Sequence, residues 1–299
     1  MRFNMHEQLS VAEPYRLDLT ADALRRLAAN LVDVIGEDGA YYRALRDDRG
    51  TSLLRVRQTG DGTLDVWGTG RDAERFLPTV ERMLGTAVRL DGWQRRAASI
   101  PWLGRLARAL RGLKPPRYPR LWEACVNAVV FQQISIHAAV SIMGRLVEGL
   151  GEPVSHEGVR CIVFPSAEQL LKAPDELLRG AGLSLNKRVH LRSIAEAIVS
   201  GTLQDEEIAS LPTEQAAARL TKIRGIGPWS AAVVLLRGFG RLDTFPMGDS
   251  GVARSVKLLS GDTTVDVGAV LKALGPLRGM LYYHLLLGRT RNLVPVPQD

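Results

Sequence analysis

Cysteine is scarce in this sequence, since only Cys125 and Cys161 occur among 299 residues. Two thiols cannot build a disulfide framework, and they cannot supply the four thiolates that hold an iron–sulfur cluster. Cys125 lies in a helical pattern and Cys161 in an apolar run, where a thiol behaves as a small apolar side chain. We therefore expect both cysteines to be buried and reduced, as in an intracellular protein.

Long apolar runs are also missing. No segment approaches the roughly 20 apolar residues that a membrane-spanning helix needs. The N-terminal residues, MRFNMHEQLS, lack the apolar core of a signal peptide. The sequence therefore predicts a cytoplasmic protein without a membrane partner.

Negative charge is in deficit. The chain has 39 Lys and Arg against 32 Asp and Glu, which gives a net charge of +7. This balance favours an anionic partner such as nucleic acid, although a basic enzyme without such a partner fits it equally well. The length allows a substantial core and two or three domains or subdomains.

The N-terminal third mixes helix and strand signals and shows no catalytic constellation. Thr20 is expected to cap a helix that continues to about residue 31. Three short runs after it predict an antiparallel meander. They are residues 41–45, 52–58 and 63–69, with a turn at residues 59–62 between the last two.

The proline pair Pro115-Pro116 marks the predicted domain boundary. We expect residues 1–112 to form an α+β sheet domain that serves as scaffold. Strand signals nearly vanish after residue 119, so residues 113–299 are expected to be helical. Among these helices, Ser135 and Ser184 are each placed to cap an N-terminus.

The most informative stretch covers residues 223–254. It begins with a tight turn, Gly225-Ile226-Gly227, and Pro228 suits the first position of the helix that follows. Backbone N–H groups at such a turn can point at an anion, and the helix dipole adds to the attraction. An ordinary helical hairpin closed by two glycines is the alternative. Beyond the helix, a Gly/Pro-rich loop at residues 243–250 carries Asp249.

Residues 220–237, within a predicted helix-hairpin-helix at residues 213–238, resemble the hairpin of the HhH-GPD DNA glycosylase superfamily. The Pro228-Trp229 helix start and the downstream aspartate loop resemble the branch of bacterial 3-methyladenine DNA glycosylase II. This resemblance implies a mainly α fold with an α+β N-terminal domain. It comprises a small antiparallel-sheet domain beside a bipartite helical glycosylase domain.

The resemblance also implies an activity. A DNA glycosylase of this branch flips alkylated bases of the 3-methyladenine or 7-methylguanine type out of duplex DNA and hydrolyses their N-glycosidic bonds in base excision repair. Two other functions remain open. One is a glycosylase for another lesion, such as a deaminated or oxidised base, and the other is a noncatalytic DNA-binding module.

Asp249 is the predicted catalytic residue. Positive charge develops on the sugar as the base leaves, and a nearby carboxylate stabilises it and can orient or deprotonate water. Asp243 competes for this role from the start of the same loop. Asp249 could instead simply cap the helix that begins near Ser250.

Trp229 is the predicted pocket residue, because an aromatic face attracts a cationic alkylated base; core packing is its alternative role. The other pocket aromatics of the family are replaced here by Val233 and Leu286, which leaves the range of substrates open. Bifunctional relatives carry a lysine at the position of Trp229. We therefore expect no AP-lyase activity.

The segment FQQIS, residues 131–135, resembles the family's wedge loop, whose side chains fill the space that a flipped base leaves. Gln132 and Gln133 are the candidate DNA-binding residues, together with the hairpin residues named above. Gln133 stands where the bacterial alkylation enzymes usually carry an apolar residue. The glutamines could alternatively bond nearby backbone, and Lys187, Arg188 and Arg192 could be solvated or contact phosphates.

No cofactor is required by this chemistry. The resemblance does imply a monovalent cation, Na⁺ or K⁺, held by the hairpin carbonyls of Thr221, Ile223 and Ile226 and bridging to a phosphate. The expected partner is double-stranded DNA with damaged bases, bound by a monomer.

Overall fold

The computed structural model describes residues 2–60, 62–70 and 72–293, apart from the side chain of Ser250. The strands are β1 (Phe3–Ser10), β2 (Asp33–Ile35), β3 (Tyr41–Asp47), β4 (Gly50–Gly60), β5 (Thr63–Thr69), β6 (Glu152–His156) and β7 (Val159–Val163). The helices are α1 (Leu17–Arg25), α2 (Leu77–Leu84), α3 (Trp93–Ala98), α4 (Pro101–Ala109), α5 (Leu121–Val130), α6 (Ile136–Leu150), α7 (Ala167–Lys172), α8 (Asp175–Gly180), α9 (Leu185–Val199), α10 (Asp205–Ser210), α11 (Thr213–Leu220), α12 (Pro228–Phe239), α13 (Ser250–Ser260), α14 (Val267–Leu274) and α15 (Met280–Thr290).

The predicted meander is present as β3, β4 and β5. It forms the middle of an antiparallel sheet with the strand order β1-β5-β4-β3-β2. Because successive strand residues face opposite sides, Leu54 joins the main core while Leu53 joins a small cluster on the other face. The predicted turn at residues 59–62 includes Asp61, which lies outside the described residues.

The expectation of an all-helical region after residue 119 is wrong in one place. Strands β6 and β7 form an antiparallel hairpin that covers the outer face of the sheet. Val154, Cys161 and Val163 alternate along this hairpin and bury their side chains against Ala44 and Leu53. A five-residue strand is too short for a clear sequence pattern, and its partner surface lies more than a hundred residues away in the chain.

Both cysteines are buried and free, as predicted. Burial raises the pKa of Cys161 to about 12. It raises the pKa of Cys125 further, so both thiols stay protonated at neutral pH.

The helices after β5 assemble on two hydrophobic cores. One core joins the inner face of the sheet to α5, α6, α9 and α12, and the other joins α3 and α4 to α13, α14 and α15. Ser135 and Ser184 cap α6 and α9 as predicted, each accepting a hydrogen bond from the backbone N–H three residues later. In the part of the chain that the structure describes, no helix is both long and apolar enough to cross a membrane.

The first helix differs from its prediction. It covers Leu17–Arg25, and Thr20 lies inside it, donating its hydroxyl to the carbonyl of Arg16 instead of capping an end. The helix stops at Arg25 because Arg26 adopts a φ of +66°, which no helical residue can have. The residues that were expected to complete the helix form a turn leading into β2 instead.

Candidate active site

The predicted helix-hairpin-helix is formed by α11 and α12 with a short turn between them. Gly225 has a φ of +96°, and a Cβ atom at this position would lie 2.4 Å from the Cβ of His190. Both the backbone conformation and the close approach to α9 therefore require glycine. Gly227 has a φ of −87° and faces open space. Its lack of a side chain leaves the first N–H groups of α12 accessible to an anion.

The structure brings the two principal predicted residues, Trp229 and Asp249, into direct contact. The indole Nε1–H of Trp229, in the first turn of α12, donates to Oδ2 of Asp249 at 3.1 Å. The other carboxylate oxygen, Oδ1, accepts the backbone N–H groups of Gly251 and Val252 at the start of α13. Capping and a site role are therefore compatible, because each uses a different oxygen of one carboxylate.

The two positions that replace family aromatics lie on the helices around this pair. Val233 is buried one turn after Trp229 on α12, and Leu286 is half-buried on α15. Arg237 lies two turns after Trp229 on α12 and is completely buried. Its Nη2 donates to the carbonyls of Ala23 and Leu24. The face of α12 that carries Trp229 near its N-terminal end therefore contacts the last turn of α1 through Arg237 near its C-terminal end.

The two wedge-loop glutamines have different surroundings. Gln132 donates its amide to the carbonyl of Gly225 at 3.1 Å and to Oγ of Ser230 at 2.8 Å. It therefore fixes the loop to the hairpin. Gln133 is exposed with a φ of +56°, and its neighbour Ile134 is exposed as well. Gln133 and Ile134 are the side chains of this loop that project into solvent.

The cations at the start of α9 are bound within the protein. Lys187 donates its ammonium to the carbonyls of Val130 and Gln132, which closes the end of α5 onto the wedge loop. Arg188 pairs with Asp175, and Arg192 donates to two backbone carbonyls. The sequence showed their charge but could not show these acceptors, because they belong to other elements.

The hairpin turn also presents free backbone acceptors. The carbonyl of Ile223 accepts the N–H of Ile226 at 3.0 Å. Within residues 72–293, the carbonyls of Thr221 and Ile226 accept no hydrogen bond. Two unpaired carbonyl oxygens on one tight turn fit the coordination of a hard monovalent cation, which takes oxygen ligands.

Arg26 and Arg237 were not predicted as residues near the site, and Phe131 was named only as the first residue of the wedge loop. Arg237 carried a usable signal, since it is the only charge in the apolar helix PWSAAVVLLRGF. Arg26 carried none, because its position depends on where α1 ends.

A glycine hairpin with open N–H groups is linked through the indole of Trp229 to a loop carboxylate, and these are the parts that the sequence predicted for a DNA glycosylase site. The chain matches the sequence model of the HhH-GPD superfamily of base excision DNA repair proteins over residues 126–275, half of its length. It therefore belongs to the HhH-GPD superfamily.

Individual relatives support the same placement. A DNA-3-methyladenine glycosylase of Bacillus subtilis is 33% identical over 163 residues, 54% of this chain and 54% of that protein. The chain thus spans about half the length of this relative. The structure resembles a 3-methyladenine DNA-glycosylase from Archaeoglobus fulgidus with a TM-score of 0.79 and 25% identity, over 96% of this chain and 100% of that chain.

A third comparison concerns a complex. The 3-methyladenine DNA glycosylase Mag1 of Schizosaccharomyces pombe, solved with abasic DNA, gives a TM-score of 0.54 at 25% identity. This similarity covers 66% of the present chain and 96% of that chain.

Proposed function

We propose that this protein is a monofunctional DNA glycosylase that hydrolyses the N-glycosidic bond of alkylated bases in double-stranded DNA, as a step of base excision repair. The observation that carries the proposal is the hydrogen bond between Trp229 and Asp249. It fixes a carboxylate at the edge of an aromatic wall, where a flipped nucleotide would place its sugar beside the carboxylate and its base against the indole.

The chemistry follows from this pair. An alkylated purine is cationic, and it leaves as a neutral base when the glycosidic bond breaks, so no general acid is needed. The sugar then carries the positive charge, which the carboxylate of Asp249 stabilises before water adds to the anomeric carbon. Asp243 lies on the same loop, but the indole N–H of Trp229 donates to Asp249.

We propose that the hairpin and the wedge loop hold the DNA. Open N–H groups at Gly227 suit a backbone phosphate, and a cation on the carbonyls of Thr221, Ile223 and Ile226 would bridge to the same strand. Gln133 and Ile134 would fill the space left by the flipped base, while Gln132 keeps their loop in register with the hairpin. One copy of the chain carries all of these residues, which supports action as a monomer.

Substitution of Asp249 by Asn tests the function. Asparagine is as good a helix cap as aspartate, so the fold should persist, while the negative charge is lost. We expect release of 3-methyladenine and 7-methylguanine from alkylated duplex DNA to fall by about a hundredfold or more, with duplex binding retained. Chromatography measures the released bases, and a gel without alkali treatment reports strand cleavage.

The matched control is Asp266→Asn. Asp266 caps α14 through the N–H of Gly268, in the same way that Asp249 caps α13 through Gly251. Its substitution should leave base release unchanged. Wild-type protein that binds duplex DNA and releases no alkylated base would overturn the proposal in favour of another lesion or a noncatalytic module. Strand cleavage without alkali would contradict a monofunctional enzyme, since Trp229 offers no amine to attack the sugar.

A further inference from the structure

Arg26 lies in a strained turn directly after α1. Its φ is +66° and its ψ is −54°, and the N–H of Leu27 donates to the carbonyl of Arg25 at 2.8 Å. This is a three-residue γ-turn of the rare, strained kind. Strain of this type persists only where the surroundings fix it, and it is concentrated at functional sites.

The side chain of Arg26 is buried and incompletely bonded. Only 5% of the residue is exposed, and its guanidinium stacks 3.7 Å from the ring centroid of Phe131. Among the described residues, neither its Nε nor its Nη1 has a hydrogen-bond acceptor. Buried donors without acceptors are costly, so this arginine is set up for a partner that the protein itself does not supply.

A cavity of about 20 Å³ lies next to this guanidinium. Its other polar side chains are already engaged. Tyr118 donates to Asn127, Asn127 donates to the carbonyl of Glu123, and Asn30 bonds backbone groups of its own turn. Arg25 donates to Asp22. Among the described residues that line the cavity, Arg26 is therefore the one with buried donors that lack an acceptor. The volume accommodates one or two water molecules, or a single substituent of a larger ligand.

The position of the cavity connects it to the proposed active site. Phe131, the first residue of the wedge loop, and Val140, on the helix α6 that follows the loop, belong to its lining. Arg237, two turns from Trp229 on α12, bonds the last turn of α1 just before Arg26. The cavity therefore lies beneath the loop that would replace the flipped base.

On the basis of the function proposed above, we propose that Arg26 is a specificity residue that donates a hydrogen bond to the exocyclic oxygen O6 of the flipped purine. A guanidinium is a donor only, and arginine commonly recognises this oxygen of guanine. An adenine presents an amino group at the same position, so two donors would face each other. The small cavity admits the oxygen and excludes the ring.

Two alkylated bases provide a matched comparison. Both 7-methylguanine and 7-methyladenine are cationic and carry the same methyl group, but position 6 is an oxygen in the first and an amino group in the second. We expect Arg26→Met, which removes the donors and keeps an apolar chain over Phe131, to lower the ratio of their release rates about tenfold. Release of 7-methyladenine should not fall, because the variant removes the donors that face its amino group. Arg26→Lys keeps the charge and should give an intermediate ratio.

Single-turnover release of both bases from one methylated duplex measures this ratio, with Arg105→Met, an exposed arginine on α4, as the control. An equal fall for both bases in Arg26→Met and Arg26→Lys would overturn the inference, because it would indicate a merely structural role. An unchanged ratio with normal rates would overturn it too, and would leave the glycosylase function standing. Wild-type protein that releases neither base would overturn both proposals.

Discussion

At the scale of single residues, Asp249 caps a helix and contacts Trp229 through different oxygens, so its capping does not exclude the predicted catalytic role. Its Oδ1 caps α13 through two backbone N–H groups, and its Oδ2 accepts the indole N–H of Trp229. The cap fixes the orientation of the carboxylate through backbone N–H groups, so Oδ2 is held in position to accept the indole N–H of Trp229. The sequence located both residues from the hairpin and its loop. It could not show that they touch, because their contact depends on how the loop returns to α12.

Replacing Trp229 by Phe tests that contact. Phenylalanine keeps an aromatic face for a cationic base, but it cannot donate to Asp249. We expect single-turnover base release to fall about tenfold, the effect of losing one hydrogen bond to a charged group. Trp229→Leu should reduce it further, because the aromatic wall is lost as well.

The control for this prediction is Trp102→Phe, which alters a buried tryptophan of the second core, away from the candidate site. It should leave the release rate of the folded protein unchanged. Equal rates for Trp229→Phe and wild type would show that the indole N–H does not position the carboxylate.

At the scale of elements, α15 is joined to α3 by a buried histidine. Trp93 donates its Nε1–H to Nε2 of His284 at 3.2 Å, while Nδ1 of His284 lies 2.8 Å from the carbonyl of Met280. The ring can satisfy both contacts only as the neutral tautomer with its proton on Nδ1. Burial lowers the pKa of His284 to about 4.

This histidine predicts a loss of stability in mild acid. The unfolded chain binds a proton near pH 6.5, whereas the folded chain resists protonation until about pH 4. The contribution of His284 is therefore fully present above pH 6.5 and is lost as the pH falls from 6.5 towards 4. We expect the free energy of unfolding to drop by about 2 kcal/mol between pH 7 and pH 5 on this account.

Urea unfolding at both pH values measures the effect, with His284→Gln as the comparison. Glutamine does not titrate, so the variant should lack this part of the pH dependence while it keeps the part that comes from carboxyl groups. Identical pH dependence in the two proteins would mean that His284 binds a proton as readily in the folded chain as in the unfolded chain.

Elements were predictable from sequence where local signals decide them. The α11–α12 hairpin followed from its glycines and Pro228, and the caps of α6 and α9 followed from single serines. Two features depend on distant partners: the β6–β7 hairpin was not predicted, and the end of α1 was predicted too late in the chain. The β6–β7 hairpin forms against the outer face of the sheet, and α1 ends early because Arg26 turns towards Phe131.

At the scale of the whole molecule, the sheet and helix α5 are joined by a buried ion network. Arg43 on β3 donates to Asp33 at 2.8 Å and to Glu123 on α5 at 2.5 Å. The segment from Leu113 to Pro116, predicted as a linker, is itself buried. The division at residue 112 stays a prediction, and these contacts favour cooperative unfolding of the two parts.

Arg43→Met tests whether the two parts unfold as one. It leaves two carboxylates buried without their cation, so we expect the free energy of unfolding to fall by about 3–5 kcal/mol. Arg46→Met is the matched control, since Arg46 lies on the same strand and pairs with the exposed Glu152. It should cost less than about 1 kcal/mol.

The same experiment separates one cooperative unit from two. Fluorescence of a Trp67→Phe variant reports the helices, because the four remaining tryptophans, Trp93, Trp102, Trp122 and Trp229, all lie on helices. Far-ultraviolet circular dichroism reports all secondary structure. If the core is shared, both signals should change at the same urea concentration, and Arg43→Met should shift them together. A transition in circular dichroism at lower urea, with the fluorescence unchanged, would instead show that the sheet unfolds as an independent domain. In that case the ion pair between Arg43 and Glu123 would contribute little to holding the sheet against the helices. Arg26 lies in the turn between α1 and β2, so unfolding of the sheet would also release Arg26. The preference for 7-methylguanine over 7-methyladenine would then be lost at a urea concentration at which the protein still releases both bases.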